Sequence, residues 1–175
     1  MNSIKQIEVL LADRLVGRLA LTKEGLCAFE YAPDWLGSGF SISPFELPLR
    51  SGVFIAKPRP FEGGFGVFDD CLPDGWGLLI VDRYLQQKGI NPRALTLLDR
   101  LALVGSSGRG ALEFRPDHSV VTRQDYADFE KLALEAERIL GSDEYRGKGI
   151  EEFQDRGGSP GGARPKIFAR YEGKE

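Results

Sequence analysis

The 175-residue chain has the length of one ordinary domain, with 42% hydrophobic residues for a core and 28% charged residues for a surface that faces water. Its net charge of −3 provides no global basic field for nucleic acid, so any contact with DNA is expected to run through a partner. No apolar run approaches the roughly 20 residues that span a membrane, and Lys5, Glu8 and Asp13 interrupt the apolar start, so we expect a cytoplasmic protein with no membrane contact.

The first third of the sequence has the pattern of an antiparallel sheet. Apolar and polar residues alternate in three runs that short turns separate, which predicts a three-strand meander. Prolines interrupt the stretch that follows, so only short strands are expected there. The predicted strands cover residues 7–12, 15–21 and 26–32, with further candidates at 40–43, 53–58 and 65–70.

Helical spacing then replaces the strand pattern. Apolar residues recur three or four positions apart in three segments, and Gly89 and Gly141 stand where the first and the last of these end. A glycine-rich turn and a short strand separate the second segment from the third. The predicted helices cover residues 72–89, 93–105 and 122–141. Together with the meander, they predict an α+β fold.

The two cysteines and the single histidine do not form a metal-binding pattern. Cys27 and Cys71 stand far apart in apolar contexts and outside any CxxC pair, and His118 has no metal-ligand companion. We therefore expect two reduced cysteines in the core and an exposed histidine in a loop, and no zinc site.

The stretch GGSPGGARPK, residues 157–166, has the composition of an anion-binding loop. Its glycines can turn backbone N–H groups inward, and Arg164 and Lys166 can place positive charge on a phosphate. Ile167 after Lys166 excludes a Walker loop, and the spacing is not GxGxxG. On spacing alone, a linker or a hairpin turn is the favoured interpretation, and the phosphate loop is the alternative.

Two other polar stretches allow a functional and a structural interpretation. Asp69, Asp70 and Asp74 lie close in the sequence, and paired carboxylates can hold a metal or transfer protons. The structural alternative, which we favour, places Asp74 at a helix N-terminus and Gly75 in the turn. GSSGRGAL, residues 105–112, can likewise bind phosphate or turn the chain, and the turn is favoured because no cation-plus-hydroxyl arrangement follows it.

The order of these segments resembles one protein family. AFEYAPDWL ends the meander, and FSISPFELPL, FDDCLPDGWGLLIVDRYL, ALTLLDRLALVGSSGRGALEF and GGSPGGARPKIFARY follow in that order. The sequence is similar to the N-terminal part of the HipA family, the serine/threonine-protein kinase toxins of bacterial toxin–antitoxin modules. The resemblance runs through nearly the whole chain, and LPDG and GGARPK are among its most specific parts.

The resemblance implies a fold and a division of the chain. Residues 1–140 correspond to a HipA-like N-terminal subdomain, an antiparallel meander with packed helices. A linker over residues 141–156 leads to residues 157–175, which correspond to the glycine-rich loop and the first strands of a truncated, kinase-like N-lobe.

The resemblance also implies a nucleotide site. In HipA-like kinases the glycine loop covers ATP, with Mg²⁺ as the accompanying cofactor. A serine just upstream is the inhibitory autophosphorylation site of the family, and Ser159 stands in the matching place. The residues that match the ATP-binding loop are Gly161, Gly162, Ala163, Arg164, Pro165 and Lys166.

No catalytic residue of the family is matched in this sequence. Phosphoryl transfer needs a phosphate-holding lysine, a catalytic carboxylate and a metal-binding carboxylate, and the family carries them downstream of the loop. We therefore expect a truncated chain that is inactive alone, although its full-length parent phosphorylates protein serine or threonine.

The resemblance also implies partners and leaves alternatives. A HipB-like helix-turn-helix antitoxin is expected to bind the chain and to supply the contact with DNA. One alternative is a stand-alone binding module that regulates a separately encoded HipA-like kinase. Another is a structural α+β domain without a nucleotide site.

Overall fold

A computed structural model describes the backbone of residues 3–108, 110–119, 129–142, 145, 147, 150, 151, 153 and 162–166. The chain divides into two compact units. The first unit consists of Met1–Leu72 and Ala94–Ser119, and the second of Pro73–Arg93 and Val120–Glu175. No helix in the described part of the chain is long and apolar enough to cross a membrane.

The first unit is built on a five-stranded antiparallel sheet. The strands are β1 Gln6–Leu11, β2 Arg14–Leu21, β3 Cys27–Tyr31, β4 Val53–Ile55 and β5 Leu112–Arg115. They lie in the order β4-β3-β2-β1-β5, so the predicted meander forms the centre. The short strands predicted near residues 53 and 112 form the two edges, and the α+β prediction is confirmed.

Two predicted strands are wrong. Residues 40–43 contribute only an isolated bridge between Ser43 and Leu47. The Tyr31 hydroxyl accepts a hydrogen bond from Ile42 N–H (3.1 Å) and donates one to Leu47 O (2.6 Å), so a side chain satisfies backbone groups that a strand would otherwise pair. Residues 65–70 contain a helix instead, α2 Gly66–Asp69.

The carboxylate of Glu46 explains why α2 is helical. It accepts the first helical N–H, that of Gly66, at 2.9 Å, and the helix carries Phe68 into the core. The first N–H of a helix has no acceptor inside the helix, and here a side chain 20 positions away in the sequence accepts it. The alternation in FGVFDD gave no sign of this contact.

Two further helices belong to the first unit, α1 Pro33–Ser38 and α4 Leu97–Val104. The predicted start of α4 at residue 93 is too early, because Pro92–Ala94 forms a 3₁₀ turn. Thr96 and Asp99 form a reciprocal capping box, which fixes the helix start at Leu97.

Aromatic rings fill the core of the first unit. Phe68 lies 5.5 Å from Phe29 and 6.4 Å from Phe114 between ring centroids, in tilted and edge-on arrangements. Cys27 and Cys71 are buried and free, as predicted, and burial raises the pKa of each thiol to about 11. At neutral pH both are therefore protonated, apolar core residues.

Asp99 is a buried carboxylate that joins two elements of the first unit. Its oxygens accept the N–H of Ile4 (3.0 Å) and both the N–H (3.0 Å) and the hydroxyl (2.7 Å) of Thr96. Burial by itself raises the pKa of Asp99, but these hydrogen bonds and the nearby His118 hold it below the ordinary 3.8.

The second unit contains α3 Gly75–Gln87 and α5 Phe129–Gly141. The first lies within the predicted helix 72–89, and the described part of the helix predicted over 122–141 is α5. The guanidinium of buried Arg83 donates to Ile139 O. The second unit has a hydrophobic core of its own, which is formed by Trp76, Ile80, Leu132, Ala136, Ile139, Ile150 and Phe153.

Ile150 and Phe153 fall inside the segment predicted as a linker, and both are buried. The predicted boundaries at residues 140 and 156 stay a prediction. The final strand predicted after the glycine loop lies outside the described residues.

We predict that Asp99→Asn lowers the free energy of unfolding at pH 7 by about 1–3 kcal/mol, because an amide cannot accept all three hydrogen bonds. The folded-state pKa of Asp99 is lowered, so its contribution is complete above the unfolded pKa and is lost as the pH falls through the folded value. Urea unfolding at pH 7 and in steps below about pH 4 measures both effects.

The matched control is Glu24→Gln at an exposed turn, which should leave both the stability and its acid dependence unchanged. Asp117 retains its own acid dependence in the Asp99→Asn variant, because its pKa is also lowered. If the stability of Asp99→Asn fell with decreasing pH as steeply as that of the unaltered chain, the role given to Asp99 would be contradicted.

Candidate functional site

The described part of the glycine-rich loop lies against the start of α3, within the second unit. The N–H of Gly162 donates to Asp74 Oδ1 at 3.1 Å, and the carbonyl of Gly162 accepts the N–H of Trp76 at 2.9 Å. One residue of the loop, Gly162, is therefore held through both its N–H and its C=O by the helix N-terminus. We call these two hydrogen bonds the Gly162 clamp.

Backbone conformation explains why Asp74 and Gly75 stand at this position. Asp74 is the N-cap residue, in extended conformation at φ −118° and ψ 167°, but its side chain does not cap its own helix. Gly75 has φ +43°, and a Cβ there would lie 2.5 Å from Gly162 O. Only glycine fits at this contact. The prediction that Asp74 occupies a helix N-terminus is confirmed, while its contact with the loop was not foreseen.

The anchor of the clamp is Trp76. This residue is 2% exposed, and its ring meets that of Phe153 edge-on at 5.2 Å. Because the N–H that binds Gly162 belongs to a residue packed in the core, the clamp attaches the loop to the core of the second unit.

The loop keeps its cations at the surface. Gly162, Ala163, Arg164, Pro165 and Lys166 are all exposed. Gly162 has φ +85°, and a Cβ built on it would lie 3.2 Å from Lys166 Nζ, so the ammonium lies close to the clamped peptide. The arrangement places positive charge beside a polarised peptide, which suits an anionic ligand.

Two predicted site residues, Gly161 and Ser159, lie outside the described residues. The structure brings together Gly162 and Lys166, and it joins Gly162 to Asp74 and places it against Gly75. The assignment of the loop to nucleotide binding stays a prediction. Asp74 is the residue that sequence reasoning missed as a partner of the loop, because 88 positions separate it from Gly162.

The acidic stretch around residue 70 does not form a metal centre. Asp69 lies in α2, and burial, followed by the charges of Asp70 and Glu62, raises its pKa. Among the residues that the structure describes, no three His, Cys, Asp or Glu side chains lie close enough to hold a metal ion.

The described residues of GSSGRGAL, 105–108 and 110–112, include a turn that a carboxylate further along the chain closes. Asp117 accepts the N–H of Ser106 at 3.0 Å and that of Ser119 at 2.8 Å. Burial raises the pKa of Asp117, but these hydrogen bonds lower it further, so the carboxylate stays ionised. Within this stretch a negative side chain thus occupies the N–H of Ser106, which supports the structural interpretation of the turn.

We predict that Gly75→Ala destabilises the second unit and releases the loop. A positive φ costs an alanine about 1–2 kcal/mol, and the added methyl group also overlaps Gly162 O. Urea unfolding gives the loss of stability, and hydrogen exchange of the Gly162 and Trp76 amides reports the clamp.

Gly89→Ala is the matched control, because Gly89 has φ +74° at the other end of α3 and a Cβ there meets nothing within 4 Å. Gly89→Ala should lower the free energy of unfolding only by the cost of its positive φ, and it should leave hydrogen exchange of the Gly162 amide unchanged. Equal effects of the two substitutions would show that the clamp adds nothing.

Comparison with known proteins identifies the family of this chain. A family model described as the HipA N-terminal domain matches residues 7–115. Among solved structures, the Shewanella oneidensis MR-1 toxin–antitoxin system HipA, HipB and operator DNA complex contains a chain with the same fold, at a TM-score of 0.52 and 21% identity. The match covers 81% of this chain but 32% of that chain. Because the family model matches more than half of its length, the chain belongs to the HipA N-terminal domain family.

Proposed function

We propose that this chain is the N-terminal part of a HipA-like serine/threonine-protein kinase toxin of a toxin–antitoxin module. The match to the HipA N-terminal domain is the observation that carries the proposal. The activity of the full-length protein is ATP-dependent phosphorylation of a protein serine or threonine. The present chain supplies the loop over the nucleotide and a surface for partner proteins.

The chemistry of the loop supports a role in ATP binding. Exposed Arg164 and Lys166 can pair with phosphate oxygens, the first as a planar fork and the second as a point charge. The Gly162 N–H already donates to a carboxylate. A phosphate oxygen is an acceptor of the same kind, so nucleotide binding at this peptide competes with Asp74.

The chain by itself is proposed to be inactive. Phosphoryl transfer requires carboxylates for the attacking hydroxyl and for Mg²⁺. We assign Mg²⁺ to the full-length protein, as the resemblance to the kinase family implies, and to no residue of this chain. Ser159 is the candidate autophosphorylation site, and a phosphate there adds close to two negative charges five residues before Arg164 and seven before Lys166 in the sequence.

A HipB-like helix-turn-helix antitoxin is the proposed partner. The solved HipA chain with the same fold was crystallised with HipB and operator DNA. The net charge of −3 supports DNA contact through the antitoxin rather than through this chain.

We predict that Mg-ATP stabilises the chain against heat. Ligand at about 100 times its Kd adds roughly 2.7 kcal/mol to the free energy of unfolding. Arg164→Ala with Lys166→Ala should weaken ATP binding about tenfold or more, because two charge-assisted contacts are lost. Thermal unfolding and isothermal titration measure the two effects.

The control exchanges two exposed cations elsewhere, Lys23→Ala with Arg93→Ala, and should bind ATP as the unaltered chain does. Unchanged thermal stability at millimolar ATP would refute nucleotide binding by this chain. Equal affinity of the loop variant and the control would refute the roles of Arg164 and Lys166.

We also predict that Ser159 acquires no phosphate when the chain is incubated alone with Mg-ATP. Mass spectrometry of the peptide that contains Ser159 decides this, with Ser159→Ala as the control for assignment. A phosphate on Ser159 would overturn the proposal that the chain is inactive alone.

A further inference from the structure

The edge strand β4 leaves one side of its backbone without a partner in the described part of the chain. Val53–Ile55 pair with β3 on one side only, because β4 ends the sheet. An unpaired edge offers N–H and C=O groups to another extended chain. Strand addition at such an edge is a common way to bind peptides.

The register shows which residues carry the open groups. Ala56 N–H donates to Cys27 O at 2.8 Å, so the pair of Ala56 and Cys27 is a hydrogen-bonded pair. Antiparallel pairs alternate, which makes Phe54 opposite Phe29 the next hydrogen-bonded pair. The N–H and C=O groups of Val53 and Ile55 therefore point outward from the sheet.

The side chains of the edge suit an apolar partner strand. Val53 is 58% exposed and Ile55 is 60% exposed on the outer face of the sheet, while Phe54 between them is 7% exposed on the core side. On the same face, the neighbouring strand β3 contributes Ala28, which lies opposite Ile55. Two β-branched side chains beside a small one form a flat apolar surface at the edge.

Positive charge flanks the edge. Arg50 precedes β4, with its guanidinium 4.5 Å from the Phe54 ring centroid, and exposed Lys57 and Arg59 follow the strand. These three cations form no ion pair with any residue that the structure describes. The anion in register with the strand is Glu30, opposite Val53. Exposed Glu62 follows these cations in the chain, so three cations stand against two anions, Glu30 and Glu62, next to the edge.

We propose that the outer edge of β4 binds an extended, acidic segment of a partner protein by strand addition. The backbone groups of Val53 and Ile55 supply the hydrogen bonds, their side chains supply the apolar contact, and the flanking cations select acidic residues.

The same charges argue against a second copy of this chain as the occupant. In an antiparallel pair of β4 strands related by a twofold axis, the residues before one strand face those after the other. Arg50 of one copy would then lie near Lys57 and Arg59 of the other, and like charges at such positions are destabilising.

Fluorescence anisotropy with labelled peptides tests the proposal. The probes are an extended peptide of alternating glutamate and valine and the same peptide with lysine in place of glutamate. We expect the acidic peptide to bind about tenfold or more tightly than the basic one, and its affinity to fall with added salt. Equal affinities, or no binding of either peptide at millimolar concentration, would overturn the proposal.

Two variants separate the backbone from the charges. Ile55→Pro removes an outward N–H but leaves the hydrogen bonds between Phe54 and β3 intact. Binding of the acidic peptide should therefore be lost, while the thermal stability of the chain is kept. Lys57→Glu with Arg59→Glu should reverse the preference in favour of the basic peptide. The control, Lys5→Glu with Lys23→Glu, should leave the preference unchanged.

Failure of the charge-reversed variant to change the preference would overturn the proposal even if Ile55→Pro did not fold. Sedimentation velocity of the unaltered chain tests the competing occupant. A dimer that Ile55→Pro abolishes would show that the edge pairs with a second copy and would contradict the acidic partner.

Discussion

The buried carboxylate of Asp99 is the polar contact on which the packing of the first unit depends. It accepts a hydrogen bond from Ile4, just before β1, and two from Thr96, just before α4. Leaving a fully buried donor without an acceptor costs about 1–3 kcal/mol, and these donors are partly buried. One side chain therefore fixes where α4 begins and holds the helix to the sheet, which brings Leu98 and Leu101 into the aromatic core.

Carboxylates bind backbone N–H groups in the same way at the other turns of the molecule. Glu46 accepts the first N–H of α2, Asp117 closes the turn after α4, and Asp74 binds Gly162. The first two contacts are structural, because they satisfy N–H groups that helix and turn geometry leave open. The contact of Asp74 differs, since its partner belongs to an exposed, cationic loop that a phosphate can approach.

Each unit also carries positive charge in a chain whose net charge is −3. In the second unit Arg164 and Lys166 stand beside a clamped glycine peptide, an arrangement suited to a compact anion such as phosphate. In the first unit the cations flank an open strand edge, an arrangement suited to an extended acidic chain. In these two proposals, the backbone geometry next to the charge, rather than the charge itself, distinguishes the kinds of ligand.

Local sequence patterns determined the meander, the two edge strands, α3 and the α+β class, because alternation and helical spacing act between neighbours along the chain. The motif order likewise predicted the family. Only the tertiary structure decided that residues 65–70 contain a helix and that 40–43 form no strand, because Glu46 and the Tyr31 hydroxyl bind those backbones from 11 to 20 positions away. It also decided the partner of the glycine loop. No local pattern encodes a hydrogen bond between residues 88 positions apart, since that contact exists only once the second unit has folded.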